Sequence, residues 1–122
     1  MKKIIVTGGA GFIGSNLILK LFKDHPDWTI MNIDKLTYAS DTGYLKPLRD
    51  SERYYFKKID LVDRDEVKDI VKTFQPDGVF HLAAESHVDN SISGPEPFIL
   101  SNVVGTCNIL EECRQLWQED EE

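Results

Sequence analysis

Gly8, Gly9, Gly11 and Gly14 have the spacing needed to hold a diphosphate. A β-branched run, Ile4 to Thr7, stops at Gly8, and a helical pattern begins near Phe12. Gly9, Gly11 and Gly14 fit G-x-G-x-x-G, while Gly8, Gly11 and Gly14 fit G-x-x-G-x-x-G. A Cβ at Gly8 or Gly9 would obstruct the turn, and Gly11 lets the main chain come close to a phosphate. Gly14 lets the helix lie against the strand. The unsatisfied N–H groups and positive dipole end of that helix then face the anion.

A second apolar run, Trp28 to Ile33, ends in Asp34, twenty residues after Gly14. A carboxylate at that distance accepts hydrogen bonds from an adenosine ribose. It also repels a 2′-phosphate, so the pattern favours NAD over NADP, although Lys35 softens the repulsion. The bland alternative is a plain βα turn with a surface Asp. Turn, helix and acid together outweigh it.

Other reactive combinations fail on geometry. Tyr54 and Lys58 match Tyr-x-x-x-Lys, a pair that needs a helix, where residues four apart are neighbours at about 5–6 Å. Their segment reads as a strand, in which the same spacing spans roughly 13 Å. Ser86, His87 and Asp89 lie too close in sequence for a hydrolase triad and lack a nucleophile elbow. His81 reads as a packed, hydrogen-bonded strand-end histidine rather than a base, and His25 as a surface residue at a helix end. The two cysteines, Cys107 and Cys113, lie six apart on an expected helix and read as small buried residues. Three scattered His give no metal spacing.

These groups are positioned by strands alternating with helices. Ile13, Leu17, Ile18, Leu21 and Phe22 mark one face of the first helix, which ends at His25-Pro26-Asp27. Strand two runs Thr29 to Ile33, followed by a loop from Lys35 to Thr42. A poor helix interrupted by Pro47 covers Tyr44 to Arg49. Strand three is Tyr54 to Ile59, and Asp63 with Glu66 three residues on caps the next helix. Val67, Ile70, Val71 and Phe74 continue that helix, and strand four is Val79 to Leu82. A last helix, starting near Pro95 to Phe98, carries Ile99, Val103, Cys107, Leu110, Arg114 and Trp117 as its stripe. The fold class is α/β: a Rossmann-type parallel sheet with flanking helices, strand order 3-2-1-4, incomplete because strand four keeps an open edge. Residues 1–118 form the N-terminal part of such a domain, and 119–122 an acidic end expected to fray.

Fourteen Lys plus Arg against 21 Asp plus Glu leave a net charge of −7. Such a chain offers no basic footprint for nucleic acid or an anionic membrane. It has neither a membrane-length apolar run nor a signal-peptide start, which points to the cytoplasm.

With the glycine turn, Asp34, Asp60-Leu61 and Leu82-Ala83-Ala84 all present, the sequence resembles the extended short-chain dehydrogenase/reductases. Asp34 to Ala39, His81 to Asp89 and Asn102 to Thr106 resemble the dTDP-glucose 4,6-dehydratases among them. The resemblance implies NAD held by Gly8, Gly11, Phe12, Ile13 and Gly14 at the diphosphate. It implies Asp34, Lys35, Leu36 and Thr37 around the adenosine, and Asp60 and Leu61 at the adenine. Leu82, Ala83, Ala84, Glu85 and Ser86 would pass beneath the nicotinamide half, with Ser86 also facing a nucleotide-sugar substrate. Ser101 stands where that family carries Thr and keeps the hydroxyl; Asn90 stands where it carries Arg and loses a cation.

The reaction so implied oxidises a sugar at C4, eliminates water across C5 and C6, and returns the hydride to C6. The Thr-Asp-Glu cluster and helical Tyr-x-x-x-Lys that run it are not among these 122 residues. The chain alone is therefore expected to be inactive, as the NAD-binding segment of a larger, homodimeric enzyme. Two alternatives stay open. One is another epimerase or dehydratase of sugar nucleotides; the other is a non-catalytic nucleotide-binding or assembly fragment that self-associates through its open sheet edge.

Overall fold

β-Branched residues fill most of the two central strands and aromatic residues much of the edge strand Tyr54–Lys58, while apolar residues recur at helical spacing between them. The computed structural model describes residues 2–9, 12–35, 42–82 and 103–121. The chain divides into two compact units, Met1–Lys58 with Pro76–Ala83, and Ile59–Gln75 with Ala84–Glu122.

The first unit is the sheet. Strands β1 (Lys3–Thr7), β2 (Thr29–Asp34), β3 (Tyr54–Lys58) and β4 (Gly78–His81) lie in the order β3-β2-β1-β4. All neighbours pair in parallel, with Val6 opposite Asn32 and Phe80, and Asn32 opposite Phe56. Both faces of the central strands are buried, as parallel pairing requires. On one face Ile4, Val6 and Ile30 pack with Ile18 of helix α1 (Phe12–Asp24). Leu45 and Leu48 of a 3-10 helix, Thr42–Leu48, complete that cluster. Each such side chain contributes about 1.5–3 kcal/mol on burial. Pro47 lies inside the 3-10 helix, which is where the sequence placed a poor helix.

The first helix corrects its expected stripe at one position: Ile13 is exposed, at the tip beyond the core. Edge position also thins the burial of β3, whose Tyr55 and Phe56 are exposed although their types suit a core. His25 is half-buried rather than superficial, because its ring stacks on Trp28 with centroids 3.7 Å apart.

The second unit contains helices α2 (Arg64–Phe74) and α3 (Gly105–Glu121). Asp63 caps α2 by accepting from the Glu66 N–H at 3.3 Å. Gln75 closes it in the left-handed region, at φ 54°, donating its N–H to Val71 O. Val67, Val71 and Phe74 are buried, as their spacing predicts.

Helix α3 overturns its predicted stripe. Val103, Cys107, Leu110, Arg114 and Trp117 are exposed, whereas Gly105, Asn108, Ile109, Glu112, Cys113 and Leu116 are buried. Both sets have helical spacing. The more polar one faces inward because partners from a distant stretch of the chain satisfy it: Asn108 donates to the carbonyls of Leu61 and Val62, and Glu112 lies 3.5 Å from Arg64 Nε. Cys113 is buried, as expected, and burial pushes its thiol up to about 11, whereas Cys107 is exposed, against the expectation. The helix runs on through Glu121, into the acidic end; its expected start at Pro95–Phe98 and Ile99 lie outside the described residues.

Candidate functional site

The parallel strands β1, β2 and β4 all end at the same edge of the sheet, and β1 leads there into a turn at Gly8 and Gly9. Gly8 follows β1 with φ 72°, a conformation that side chains disfavour, and donates its N–H to Ile33 O at 2.8 Å. Gly14, one turn into α1, packs on the same residue. A Cβ there would overlap Gly8 O and stand 2.8 Å from Gly9 Cα. Glycine at 14 is thus required by contact between helix and turn.

The start of α1 is open to an anion. Phe12 and Ile13 are 69% and 73% exposed, and no acid stands in the first turn to compete for its N–H groups. Ser15, buried, and Asn16, exposed, both turn back along the helix, donating to Phe12 O at 3.0 and 2.7 Å.

Asp34 ends β2 and is 8% exposed, opposite Lys58 in the strand register, with Lys35 half-buried beside it. Leu82 follows β4, and its N–H reaches Thr7 O at 3.1 Å and Thr7 Oγ1 at 3.0 Å. The same Thr7 hydroxyl lies 2.6 Å from His81 Nδ1. The fold therefore brings Gly8, Phe12, Ile13, Gly14, Asp34, Lys35 and Leu82 to one sheet edge. A parallel α/β sheet binds its ligand at that edge, where the chain order reverses between β1 and β4.

Asp60 and Leu61 belong to the second unit. Asp60 Oδ1 accepts from the Val62 N–H at 3.1 Å, and Asp60 O from the Asp63 N–H at 2.9 Å. Asp60 thus closes its own turn. Asn108 Nδ2 donates to Leu61 O at 2.8 Å and Val62 O at 3.2 Å, holding that turn from α3. Gly11, Leu36, Thr37, Ala83, Ala84, Glu85, Ser86, Asn90 and Ser101 lie outside the described residues.

Sequence reasoning missed Asn32, Asn108 and the Thr7–His81 pair. Their one signal is a polar residue at a position where the strand or helix period calls for burial. Tyr54 and Lys58 lie along β3, so that pair is not a catalytic one. Among the described residues no cluster of His, Cys, Asp or Glu could hold a metal, and no helix is long and apolar enough to cross a membrane.

Burial holds the His81 imidazole below its ordinary value near 6.5. The unfolded chain then takes up the proton first, so the stability due to neutral His81 is fully present above about pH 6.5 and is lost as pH falls through the lower folded value. A His81→Gln variant is expected to flatten the decline in melting temperature between pH 7 and pH 5. An unchanged slope would show that another group carries it.

The chain is similar to sugar-nucleotide dehydratases and epimerases. A family model described as GDP-mannose 4,6 dehydratase matches residues 5–122. The dTDP-glucose 4,6-dehydratase of Salmonella typhimurium is 50% identical over 115 residues, covering 94% of this chain and 32% of that protein. Among solved structures, the dTDP-glucose 4,6-dehydratase of Bacillus anthracis in complex with NAD superposes with a TM-score of 0.82 at 33% identity. That match covers 94% of this chain and 34% of the other. The UDP-glucose 4-epimerase of Thermotoga maritima, solved with UDP-glucose, gives 0.82 at 29% identity, over 93% of this chain and 34% of the other. The chain spans about a third of the length of the curated relatives it matches.

Proposed function

The chain belongs to the GDP-mannose 4,6-dehydratase family, and on that premise we propose that it is the NAD-holding part of a dTDP-glucose 4,6-dehydratase. The full enzyme would convert dTDP-glucose to its 4-keto-6-deoxy product with loss of water. The observation that carries the proposal is the contact between Gly14 and Gly8, which sets the acid-free first turn of α1 against the turn at Gly8.

The residues present fit the cofactor. Gly8 in the left-handed region and the acid-free first turn of α1 would receive the diphosphate, with Phe12 and Ile13 beside it. Asp34 would accept from the adenosine ribose, with Lys35, Leu36 and Thr37 around it. Asp60 and Leu61 would hold the adenine. Leu82 to Ser86 would pass beneath the nicotinamide, Ser86 would also meet the substrate, and Ser101 would contribute a hydroxyl. NAD, when bound, supplies a reversible hydride acceptor, which an internal oxidation, dehydration and reduction of a sugar requires. The 122 residues by themselves would bind the cofactor and leave the sugar unchanged. In the full-length protein, which we take to be homodimeric and cytoplasmic, the outer edge of β4 is where a further strand would add. Among the described strands β4 stands last in the sheet order.

Calorimetry with NAD and NADP tests the proposal, with NAD expected to bind more tightly. Asp34→Ala should weaken NAD about tenfold, the worth of one hydrogen bond to a charged group. Unchanged affinity would mean that this acid does not face the ribose. Incubation with dTDP-glucose should give no 4-keto-6-deoxy product; its appearance would refute the division of labour proposed here. The likeness to the epimerase supports a second reading, an enzyme that inverts rather than dehydrates the sugar. A substrate panel on the full-length protein separates the two.

A further inference from the structure

The glycine at position 9 has no conformational reason to be glycine. Gly8 is the one glycine among the described residues in the left-handed region, so an alanine at 9 would meet no backbone penalty. What excludes it is space. A Cβ on Gly9 would overlap Asn32 Oδ1, 2.6 Å from Asn32 Cγ and 2.5 Å from Ile18 Cδ1. The contact with Ile18 involves only its terminal methyl, whereas the contact with Asn32 involves Oδ1 and Cγ of the carboxamide together.

Asn32 is itself anomalous. It lies mid-strand on β2, 0% exposed, where its apolar neighbours Ile30 and Met31 are the expected type. Its Nδ2 donates to the Tyr54 hydroxyl at 3.2 Å, but among the described residues its Oδ1 has no hydrogen-bond partner. A buried acceptor left in that state is costly and calls for a reason. On the Tyr54 side Asn32 borders a cavity of about 240 Å³ lined also by Leu45, Arg49 and Phe56. On that side the bond to Tyr54 sets the orientation of the amide.

We infer that Asn32 is the positioning residue of the diphosphate turn: tethered by Tyr54, it presents its carboxamide oxygen as the floor on which Gly9 rests. The planar amide is thin enough to seat the turn close to β2, and its oxygen can take only a weak C–H contact from Gly9 Cα. The tether runs from β3 through β2 to the turn, so three segments far apart in sequence set the height at which the main-chain N–H groups meet an anion. This deepens the NAD-binding reading and rests on it for its function, though not for its geometry.

A double-mutant cycle on the whole chain tests it, using Gly9→Ala, Asn32→Ala and the pair. Melting without ligand and the NAD Kd, measured well below the melting temperature, are read on all four proteins. Gly9→Ala alone should weaken NAD at least tenfold and lower the melting temperature. With Asn32→Ala already present, adding Gly9→Ala should change either readout less than threefold or by only a degree or two. Asn32→Ala alone should raise the NAD Kd severalfold even where it is fully folded. Additive effects in the cycle, or a wild-type Kd for folded Asn32→Ala, would overturn the inference. Absence of NAD binding by the wild type would instead refute the cofactor reading, and the melting cycle would still decide whether Asn32 seats Gly9.

Discussion

Gly14→Ala is expected to reduce NAD affinity at least about 100-fold and to destabilise the first unit by about 2 kcal/mol. Two effects oppose each other. Alanine is preferred over glycine inside a helix by about 1 kcal/mol, so propensity alone predicts a stabler protein. Against it stands the new methyl, which would overlap Gly8 O and lie 2.9 Å from Gly8 C. Both are main-chain atoms, and neither can rotate away. Overpacking of this kind costs typically ~1–3 kcal/mol, and more where backbone must move. The only relief is to lift α1 from the turn, which separates the two groups proposed to grip the diphosphate. Losing one or two charge-assisted hydrogen bonds at ~1.5–3 kcal/mol each accounts for the affinity. Calorimetry and a thermal melt check both numbers. A variant that binds NAD within threefold of wild type would show that the contact between helix and turn has slack.

The parts of this site that were legible in the sequence are those governed by local rules. Gly8 and Gly14 stand where a strand meets a helix, and Asp34 where the next strand ends; each is fixed by spacing along one stretch. Asp63 was legible for the same reason, since a cap and its acceptor are three residues apart. The decoy at Tyr54 and Lys58 was rejected because strand and helix place residues four apart at different distances.

Asn32 and Asn108 were not legible because their roles depend on partners distant in sequence. Asn32 meets Tyr54, 22 residues on, and Asn108 meets Leu61, 47 residues back. Helix α3 was misread through the same gap. Ranking by hydrophobicity favoured Val103, Leu110 and Trp117, but burial went to Asn108 and Glu112. Gly105 helps decide the matter, since even a Cβ there would lie 3.1 Å from Leu61 Cβ, a tight fit. The face that can approach closest, and whose polar groups find acceptors and charges, is the one buried, even where it is the less apolar.

Asn108→Asp turns that reasoning into the second large effect. The substitution keeps the shape of the side chain and removes its donor. At pH 7 a carboxylate oxygen would face Leu61 O and Val62 O, which now accept from Asn108 Nδ2 at 2.8 and 3.2 Å. Residue 108 is 8% exposed, so water relieves little of the repulsion. An uncompensated charge in such a place costs roughly 3–5 kcal/mol. Burial and the facing carbonyls both favour the neutral acid, so the folded pKa of the new Asp rises above its unfolded ~3.9. The sign follows: the variant loses stability as pH rises from about 3.9 through the raised folded value, and regains it on acidification, when the protonated acid donates to Leu61 O. Asn108→Leu removes the same donor without a charge; it should cost about 1–3 kcal/mol and add no pH dependence of its own. Urea midpoints for both variants from pH 4.5 to pH 7.5 give the test, and their profiles should diverge as pH rises. Parallel profiles would mean that residue 108 does not face those carbonyls. The carbonyls belong to the turn that carries Asp60, whose carboxylate accepts the Val62 N–H. If Asp60 and Leu61 hold the adenine as proposed, folded Asn108→Leu should also bind NAD more weakly, though it touches no cofactor itself.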